Sequence, residues 1–167
     1  AAEDTVESTA RALFNAGTES IEVQNSNGAP LPASGPVTVL TDDPNTADVD
    51  ESLGCLIEDY AGVSAGDVVI TTRGTCARID RATHGQAVGA AAVVMINNTS
   101  GFPPVEGPIP GVTIPFLGAL QSDGAVLRSL GGETATIEEG PPAPNPGYQA
   151  ASTFTSGGPG FGNAIAK

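Results

Sequence analysis

Residues 54–96, GCLIEDYAGVSAGDVVITTRGTCARIDRATHGQAVGAAAVVMI, decide how this chain folds. Two apolar runs, 67–70 and 92–96, lie on either side of a stretch with helical periodicity. Short apolar runs rich in β-branched residues predict buried strands, and the glycines between them supply turns. Because strand, crossover helix and strand connect with a right-handed crossover, the segment predicts a sheet that is at least partly parallel.

The crossover helix is predicted over residues 76–88. Thr75 is a candidate N-cap, Asp80 lies in the first turn, and Gly89 suits the position after the last turn. His84 lies off the inward face and is predicted to be exposed, without a catalytic role, because no partner pattern accompanies it. The inward face is predicted to be made of small side chains: Ile79, Ala82, Thr83, Gln86 and Ala87.

The rest of the pattern is mainly β. Alternating or apolar stretches predict further strands at residues 20–24, 37–40, 113–117 and 133–138. Pro115 cannot donate to a ladder, so the strand that contains it is predicted to lie at a sheet edge. A short helix is predicted from Ser122 to Leu130. Apolar residues at helical spacing predict an N-terminal amphipathic helix: Val6, Ala10, Leu13 and Phe14.

Proline and acidic residues mark the connections. Residues 30–36 and 141–146 are predicted to be linkers, and 102–111 a long irregular loop. One loop gathers five carboxylates: Asp42, Asp43, Asp48, Asp50 and Glu51. Their spacing does not follow the EF-hand pattern, so solvated surface is favoured there and a calcium site is the alternative.

Charge and composition exclude several classes of function. The net charge is −13, with one lysine and five arginines, and such a field repels phosphate backbones and anionic membrane surfaces. No apolar run approaches the roughly 20 residues needed to span a bilayer. We therefore expect neither nucleic acid nor a membrane as a partner, and we predict no cofactor and no metal site.

Two cysteines, Cys55 and Cys76, are the only ones in the chain. Their spacing fits neither a zinc cluster nor a Cys-x-x-Cys redox pair, so a structural disulfide is favoured. In the chain-entropy model, closing a loop of about 20 residues contributes on the order of 3 kcal/mol. Disulfides persist in oxidising compartments, which predicts a location outside the cytosol. The alternative is a reactive Cys76 thiol, activated at the helix N-terminus.

Several short motifs follow one another in a specific order between residues 54 and 132. They are Gly54-Cys55, Asp59-Tyr60-Ala61-Gly62, Arg73-Gly74-Thr75-Cys76, Gly89-Ala90-Ala91, Asn97-Asn98, Thr113-Ile114-Pro115 and Asp123-Gly124. In order and spacing they resemble the protease-associated (PA) domain. Departures are an Arg78-Ile79 pair where that family often has an aromatic residue, and Arg81 where it often has lysine. The resemblance implies an α+β, β-rich open barrel or sandwich of about six to seven strands, with two or three flanking helices and one parallel β-α-β unit.

A second resemblance lies near the C-terminus. Residues 151–159, ASTFTSGGP, look like the Ser-Phe-Ser-Ser-Arg-Gly-Pro stretch of subtilisin-like serine proteases, in which a PA domain is inserted in the catalytic domain. This implies host catalytic-domain pieces at 1–35 and 140–167, the latter beginning with the linker, around a PA domain at 36–139. The Gly-Thr-Ser and His-Gly-Thr motifs of a triad are absent, so no catalytic residue is predicted and the chain is not expected to be an enzyme on its own.

The resemblance implies an accessory role in a secreted subtilisin-like endopeptidase. Its expected partners are the host catalytic domain, protein or peptide substrates, and a second copy in a homodimer. The alternatives are a PA-type binding module of a sorting receptor or adhesin, and a PA insert of a zinc aminopeptidase whose ligands lie elsewhere. Because loops at strand ends carry recognition, the candidate interaction surface consists of Arg73, Gly74, Asn97, Asn98, Phe102 and Pro103.

Overall fold

Seven strands form a barrel in the part of the chain that the structure, a computed structural model, describes: residues 11–42, 45 and 50–140. The strands are β1 Arg11–Ala16, β2 Glu19–Asn25, β3 Ala33–Val39, β4 Val68–Thr72, β5 Ala92–Ile96, β6 Phe116–Ala119 and β7 Thr134–Glu139. The helices are α1 Ile79–Ala87 and α2 Gly124–Ser129, with 3-10 turns at Glu51–Leu53, Ile57–Tyr60 and Gln121–Asp123. Some predictions lie wholly or partly outside this part: the helix with Val6 and Ala10, the acidic loop with Asp43 and Asp48, the segments 141–146 and 151–159, and the host pieces 1–35 and 140–167.

The barrel is closed, with strand order β1-β2-β6-β5-β4-β3-β7 and β7 returning to β1. Strands β3 to β6 run parallel to their neighbours in that series, and the other pairs are antiparallel. The prediction of an open barrel or sandwich is therefore corrected. Closure follows from Ile137 of β7, which is in register with Phe14 of β1 on one side and Ala33 of β3 on the other.

The parallel β-α-β unit is confirmed as β4, α1 and β5, and Thr72 pairs with Ile96 at its end. The predicted inward face of α1 is largely wrong, because Thr83 and Ala87 are exposed whereas Arg81, Ala82 and Gly85 are buried. A close approach to β5 explains the choice of face. A Cβ on Gly85 would lie 2.3 Å from a methyl carbon of Val93, so the helix packs where it has no side chain.

The N-terminal helix prediction is wrong over the described residues. Arg11–Ala16 is strand β1, and its buried residues alternate strictly: Ala12, Phe14 and Ala16. Strand β1 forms a hairpin with β2 through Gly17, whose φ of +57° favours glycine. The barrel therefore takes its first two strands from residues 11–25, which precede the predicted PA domain at 36–139.

Two proline-containing segments also differ from their predictions. Residues 33–36, assigned to a linker, form the first half of β3 and pair with β7. The predicted edge strand around Pro115 is β6, which begins at Phe116 and lies between β2 and β5. Proline is tolerated because it stands just before the strand, where its carbonyl oxygen accepts a hydrogen bond from Val93 N–H at 3.0 Å.

Two apolar layers share the parallel strands. Val94 points into the barrel with the other interior residues, while Val93 and Met95 of the same strand lie under α1. Burial on both faces explains why β5 is continuously apolar. The irregular loop between β5 and β6, residues 97–115, makes the parallel crossover without a helix, and its Ile109 joins the layer under α1.

Candidate functional site

The carboxyl ends of β4, β5 and β6 meet at one end of the barrel. Arg73 follows β4 directly and its N–H donates to the carbonyl oxygen of Ile96 at 2.8 Å. Asn97 follows β5 and its N–H donates to Ala119 at the end of β6, at 2.9 Å. Parallel strands therefore bring two of the predicted surface residues, Arg73 and Asn97, next to each other.

Asn97 holds the Arg73 side chain. Its side-chain oxygen accepts hydrogen bonds from Arg73 Nη1 at 3.0 Å and from Asn98 N–H at 2.9 Å. Its amide nitrogen donates to Gly101 at 2.8 Å, and the residue is only 2% exposed. Asn98, in contrast, is exposed. The predicted surface thus contains a buried positioning residue, Asn97, and two residues that can be reached from solvent, Arg73 and Asn98.

A disulfide and the packing of Leu53 hold the loop after Arg73 in place. Cys55 and Cys76 form a disulfide with their Cα atoms 5.7 Å apart, which joins the loop just before α1 to the segment after the first 3-10 turn. Leu53 lies over Gly74, where a Cβ would meet its terminal methyl group at 2.5 Å. The disulfide and the packing of Leu53 fix the shape of the loop.

Phe102 and Pro103, the other predicted surface residues, contact different strands. The guanidinium of Arg11 lies 4.5 Å above the centre of the Phe102 ring. Pro103 is buried against β6, where a Cβ on Gly118 would stand 2.8 Å from its ring. These two residues fasten the crossover loop to the barrel, whereas the exposed surface is formed by Arg73, Asn98 and their neighbours.

Two arginines outside the predicted interaction surface complete this end of the barrel. Arg81 is fully buried, and its Nε and Nη2 donate to the carbonyl oxygen of Thr72 at 3.3 and 3.1 Å while Nη1 donates to Ala77 at 3.1 Å. Burial lowers the pKa of this guanidinium. Arg128 of α2 donates from Nη2 to the Thr72 hydroxyl at 3.2 Å. No local periodicity marks either residue.

Tyr60 and His84 contact backbone carbonyl groups of the segment that carries Cys55. The Tyr60 hydroxyl donates to the carbonyl oxygen of Gly54 at 3.0 Å, and burial raises the pKa of this hydroxyl well above its ordinary value of 10.0. His84 is half-buried, and its Nε2 lies 3.2 Å from the carbonyl oxygen of Cys55. The prediction of an exposed His84 is therefore wrong, because the Cys55 segment folds back across α1.

The described residues contain neither a metal-ligand cluster nor a membrane-spanning helix. Within 11–42, 45 and 50–140, no three His, Cys, Asp or Glu side chains are grouped as metal ligands would be. In the same part of the chain, neither helix is long and apolar enough to cross a bilayer.

The fold and this surface define a disulfide-bonded β-barrel module that presents loops at the ends of parallel strands. The chain belongs to the PA domain family, which matches residues 33–127. It is 33% identical over 105 residues to the minor extracellular protease Vpr of Bacillus subtilis (strain 168), an alignment that covers 61% of this chain and 13% of that protein.

Solved structures share the fold. The zinc aminopeptidase BSAP from Bacillus subtilis superposes with a TM-score of 0.58 at 19% identity, over 81% of this chain and 32% of that one. The subtilisin-like protease Apa1 from the Antarctic psychrotroph Pseudoalteromonas sp. AS-11 gives 0.51 at 14% identity, over 79% and 33%. The aligned part is about a third of each of those two chains.

Proposed function

We propose that this chain is the non-catalytic PA insert of a secreted subtilisin-like serine endopeptidase, in which it makes protein contacts that govern access of substrates. The observation that carries the proposal is the position of the two ends of the barrel. Gly140 N–H donates to the carbonyl oxygen of Arg11 at 3.0 Å, so the chain enters and leaves side by side. A module with adjacent ends can be inserted in a host domain without separating the host strands it interrupts.

The extracellular location is supported by two independent facts. The Cys55–Cys76 disulfide is stable in oxidising compartments. The relative with 33% identity is described as an extracellular protease. Arg73, Gly74 and Asn98 supply the contact surface in this proposal, with Asn97 holding Arg73 in place, while the host catalytic domain, protein substrates or a second copy are its partners.

Excision of the barrel from the parent enzyme tests the proposal. Residues 11–140 should be replaced by a short Gly-Ser bridge, because the two cut ends are already hydrogen-bonded to each other. The expected result is retained cleavage of a short chromogenic peptide and altered cleavage of a folded protein substrate. Unchanged rates on both substrates would contradict a role in substrate access.

A second candidate, an insert of a zinc aminopeptidase, is supported by the fold shared with BSAP. The two parents respond to different inhibitors. A serine-directed fluorophosphonate inactivates a subtilisin-like parent and leaves a zinc aminopeptidase active, whereas a zinc chelator has the opposite effect. Inhibition by the chelator alone would favour the second candidate.

A further inference from the structure

Strand β2 extends beyond its neighbour β6 and leaves part of one backbone edge without a partner strand. On one side β2 pairs with β1 along residues 19–24. On the other side it pairs with β6 through Gln24 and Asn25 only. Because β6 is the shorter strand, residues 19–23 of β2 have no strand beside them on that side in the described part of the chain. We call this stretch the free edge.

The alternation of an antiparallel ladder shows which backbone groups point into the free edge. Ser26 N–H donates to the carbonyl oxygen of Phe116 at 2.9 Å, so Ser26 faces β6. Every second residue of a strand presents its N–H and C=O groups to the same neighbour, and in β2 these residues are Gln24, Glu22 and Ser20. The backbone groups of Glu22 and Ser20 therefore point away from β1.

The chain after β6 does not take up these groups. The carbonyl oxygen of Leu120 accepts a hydrogen bond from Asp123 N–H at 3.0 Å, because the chain enters a 3-10 turn instead of continuing beside β2. Within the part of the chain that the structure describes, the outward N–H and C=O groups of Ser20 and Glu22 have no protein partner. Both residues are exposed, so a partner can reach them from solvent.

The free edge has a fixed strand conformation. Ile21 and Val23 alternate with the two edge residues, and they are 6% and 0% exposed in the barrel core. Their backbone groups face β1 in the continuous β1–β2 ladder. An ordered and unpaired edge is a template for an added strand, and its order lowers the entropy cost of binding on the side of the protein.

Charge favours a basic partner over a second copy of this chain. Glu19 and Glu22 are exposed along the free edge, in a chain with a net charge of −13. The Glu22 side chain lies 3.5 Å from Arg11 and remains 51% exposed. Like charges opposite each other destabilise a strand pair, whereas opposite charges stabilise it. A second copy would bring the same acids to the pair, so a strand with lysine or arginine fits better.

We propose that the free edge of β2 binds an extended basic peptide segment as an added strand. Ser20 and Glu22 each offer the segment one N–H donor and one C=O acceptor, and a lysine or arginine of the segment lies opposite Glu22. The free edge consists of other residues than the loop surface at Arg73, Gly74 and Asn98. The inference therefore goes beyond the proposed function and does not depend on the class of the parent enzyme.

Hydrogen exchange of the full 167-residue chain locates the added strand. The probe is acetyl-Thr-Lys-Val-Lys-Thr-amide. Without peptide, the amides of Ser20 and Glu22 should exchange rapidly, whereas those of Ile21 and Val23 should be protected by β1. At a peptide concentration of about ten times the Kd, exchange at Ser20 and Glu22 should slow by about tenfold. The amides of Ile21 and Val23 should change little.

Modified peptides separate strand pairing from charge. Methylation of both lysine backbone nitrogens removes the donors that face β2 and should weaken binding by about tenfold or more. The same modification at the valine and the last threonine is the matched control, because those nitrogens face away from β2, and it should leave the affinity unchanged. The peptide with glutamates in place of both lysines should bind about tenfold more weakly than the basic probe.

A charge-removing variant tests the role of Glu22. Glu22→Gln should weaken binding of the basic peptide by about threefold, as expected for the loss of one exposed ion pair. Glu58→Gln is the matched control, because Glu58 is an exposed carboxylate on the 3-10 turn Ile57–Tyr60 and its loss changes the net charge equally. That variant should keep the native affinity. Thermal unfolding checks that both variants are folded.

Three results would overturn the inference. One is equal affinity for the acidic and the basic peptide, and another is equal affinity for the two methylated peptides. The third is protection of the Ser20 and Glu22 amides without any peptide. Protection that rises with protein concentration would identify a second copy as the occupant, and protection that does not would identify another segment of the chain. None of these results bears on the excision test of the proposed function.

Discussion

Gly35 in β3 lies so close to Gly66 that a Cβ on Gly35 would stand 1.9 Å from the Gly66 carbonyl oxygen. The contact lies beside the β3–β4 pairing, and Gly35 is also in register with Ala135 of β7. A side chain at this position would push β3 away from the chain that leads into β4. The closed barrel therefore depends on glycine here, at a backbone contact that cannot relax by moving a side chain.

Gly35→Ala should lower the free energy of unfolding by about 3 kcal/mol, at the upper end of the cost of overpacking. Gly62→Ala is the matched control, because a Cβ added at Gly62 would meet no heavy atom within 4 Å and the residue has no positive φ. Urea unfolding of both variants measures the difference. Equal midpoints for the two would mean that β3 and residue 66 are not in contact.

Local patterns predicted part of this fold and site. Arg73 and Asn97 could be found because each directly follows an apolar parallel strand, and such strand ends meet. Arg81 could not be found, since its burial depends on the Thr72 carbonyl oxygen and a charged residue carries no apolar pattern. Leu13 and Phe14 together fit a helical spacing, whereas in strand β1 they point to opposite faces and only Phe14 is buried. The pairing of β1 with β7, which joins distant parts of the sequence, favours the strand.

Buried Tyr60 predicts a loss of stability in alkaline solution. Burial raises the pKa of its hydroxyl in the folded state above the ordinary value of 10.0. The folded state therefore favours the neutral hydroxyl. The resulting contribution of Tyr60 to the free energy of unfolding is complete below about pH 10 and is lost as the pH rises from there toward the higher pKa of the folded state. The slope should reach about 1.4 kcal/mol per pH unit.

Tyr60→Phe isolates this effect, since phenylalanine does not titrate. Urea unfolding between pH 8 and pH 11 should show the native protein losing stability above about pH 10, while the variant loses less over the same range. Among the described residues both cysteines are in the disulfide, so no free thiol there complicates alkaline conditions. Parallel curves for the two proteins would argue against a buried, neutral Tyr60.

Asn97 should matter far more than its neighbour Asn98. Asn97→Ala removes three side-chain hydrogen bonds in a buried position and should cost about 2 kcal/mol of unfolding free energy. Asn98→Ala changes an exposed side chain and should stay within about 0.5 kcal/mol. Denaturant unfolding gives both values. The NMR signal of Arg73 Nε–H should broaden or move in Asn97→Ala but not in Asn98→Ala, because the Asn97 side chain accepts a hydrogen bond from the Arg73 guanidinium.

The adjacent ends of the barrel predict that it can be transplanted as a unit. Arg11 and Gly140 are joined by a hydrogen bond, so residues 11–140 inserted in a surface loop of an unrelated reporter enzyme should fold without separating the loop ends. Residues 36–139 are the matched control. They lack β1, β2 and residues 33–35 of β3. Strand β6 therefore loses one neighbour, and β7 loses β1 and three of its four residue pairs with β3. Reporter activity and the thermal unfolding of the insert are the measurements. The longer insert should give an active reporter with a cooperative second transition, and the shorter one should give none. A folded insert from residues 36–139 would instead mean that β1 and β2 belong to the host, and the barrel would then have to close without them.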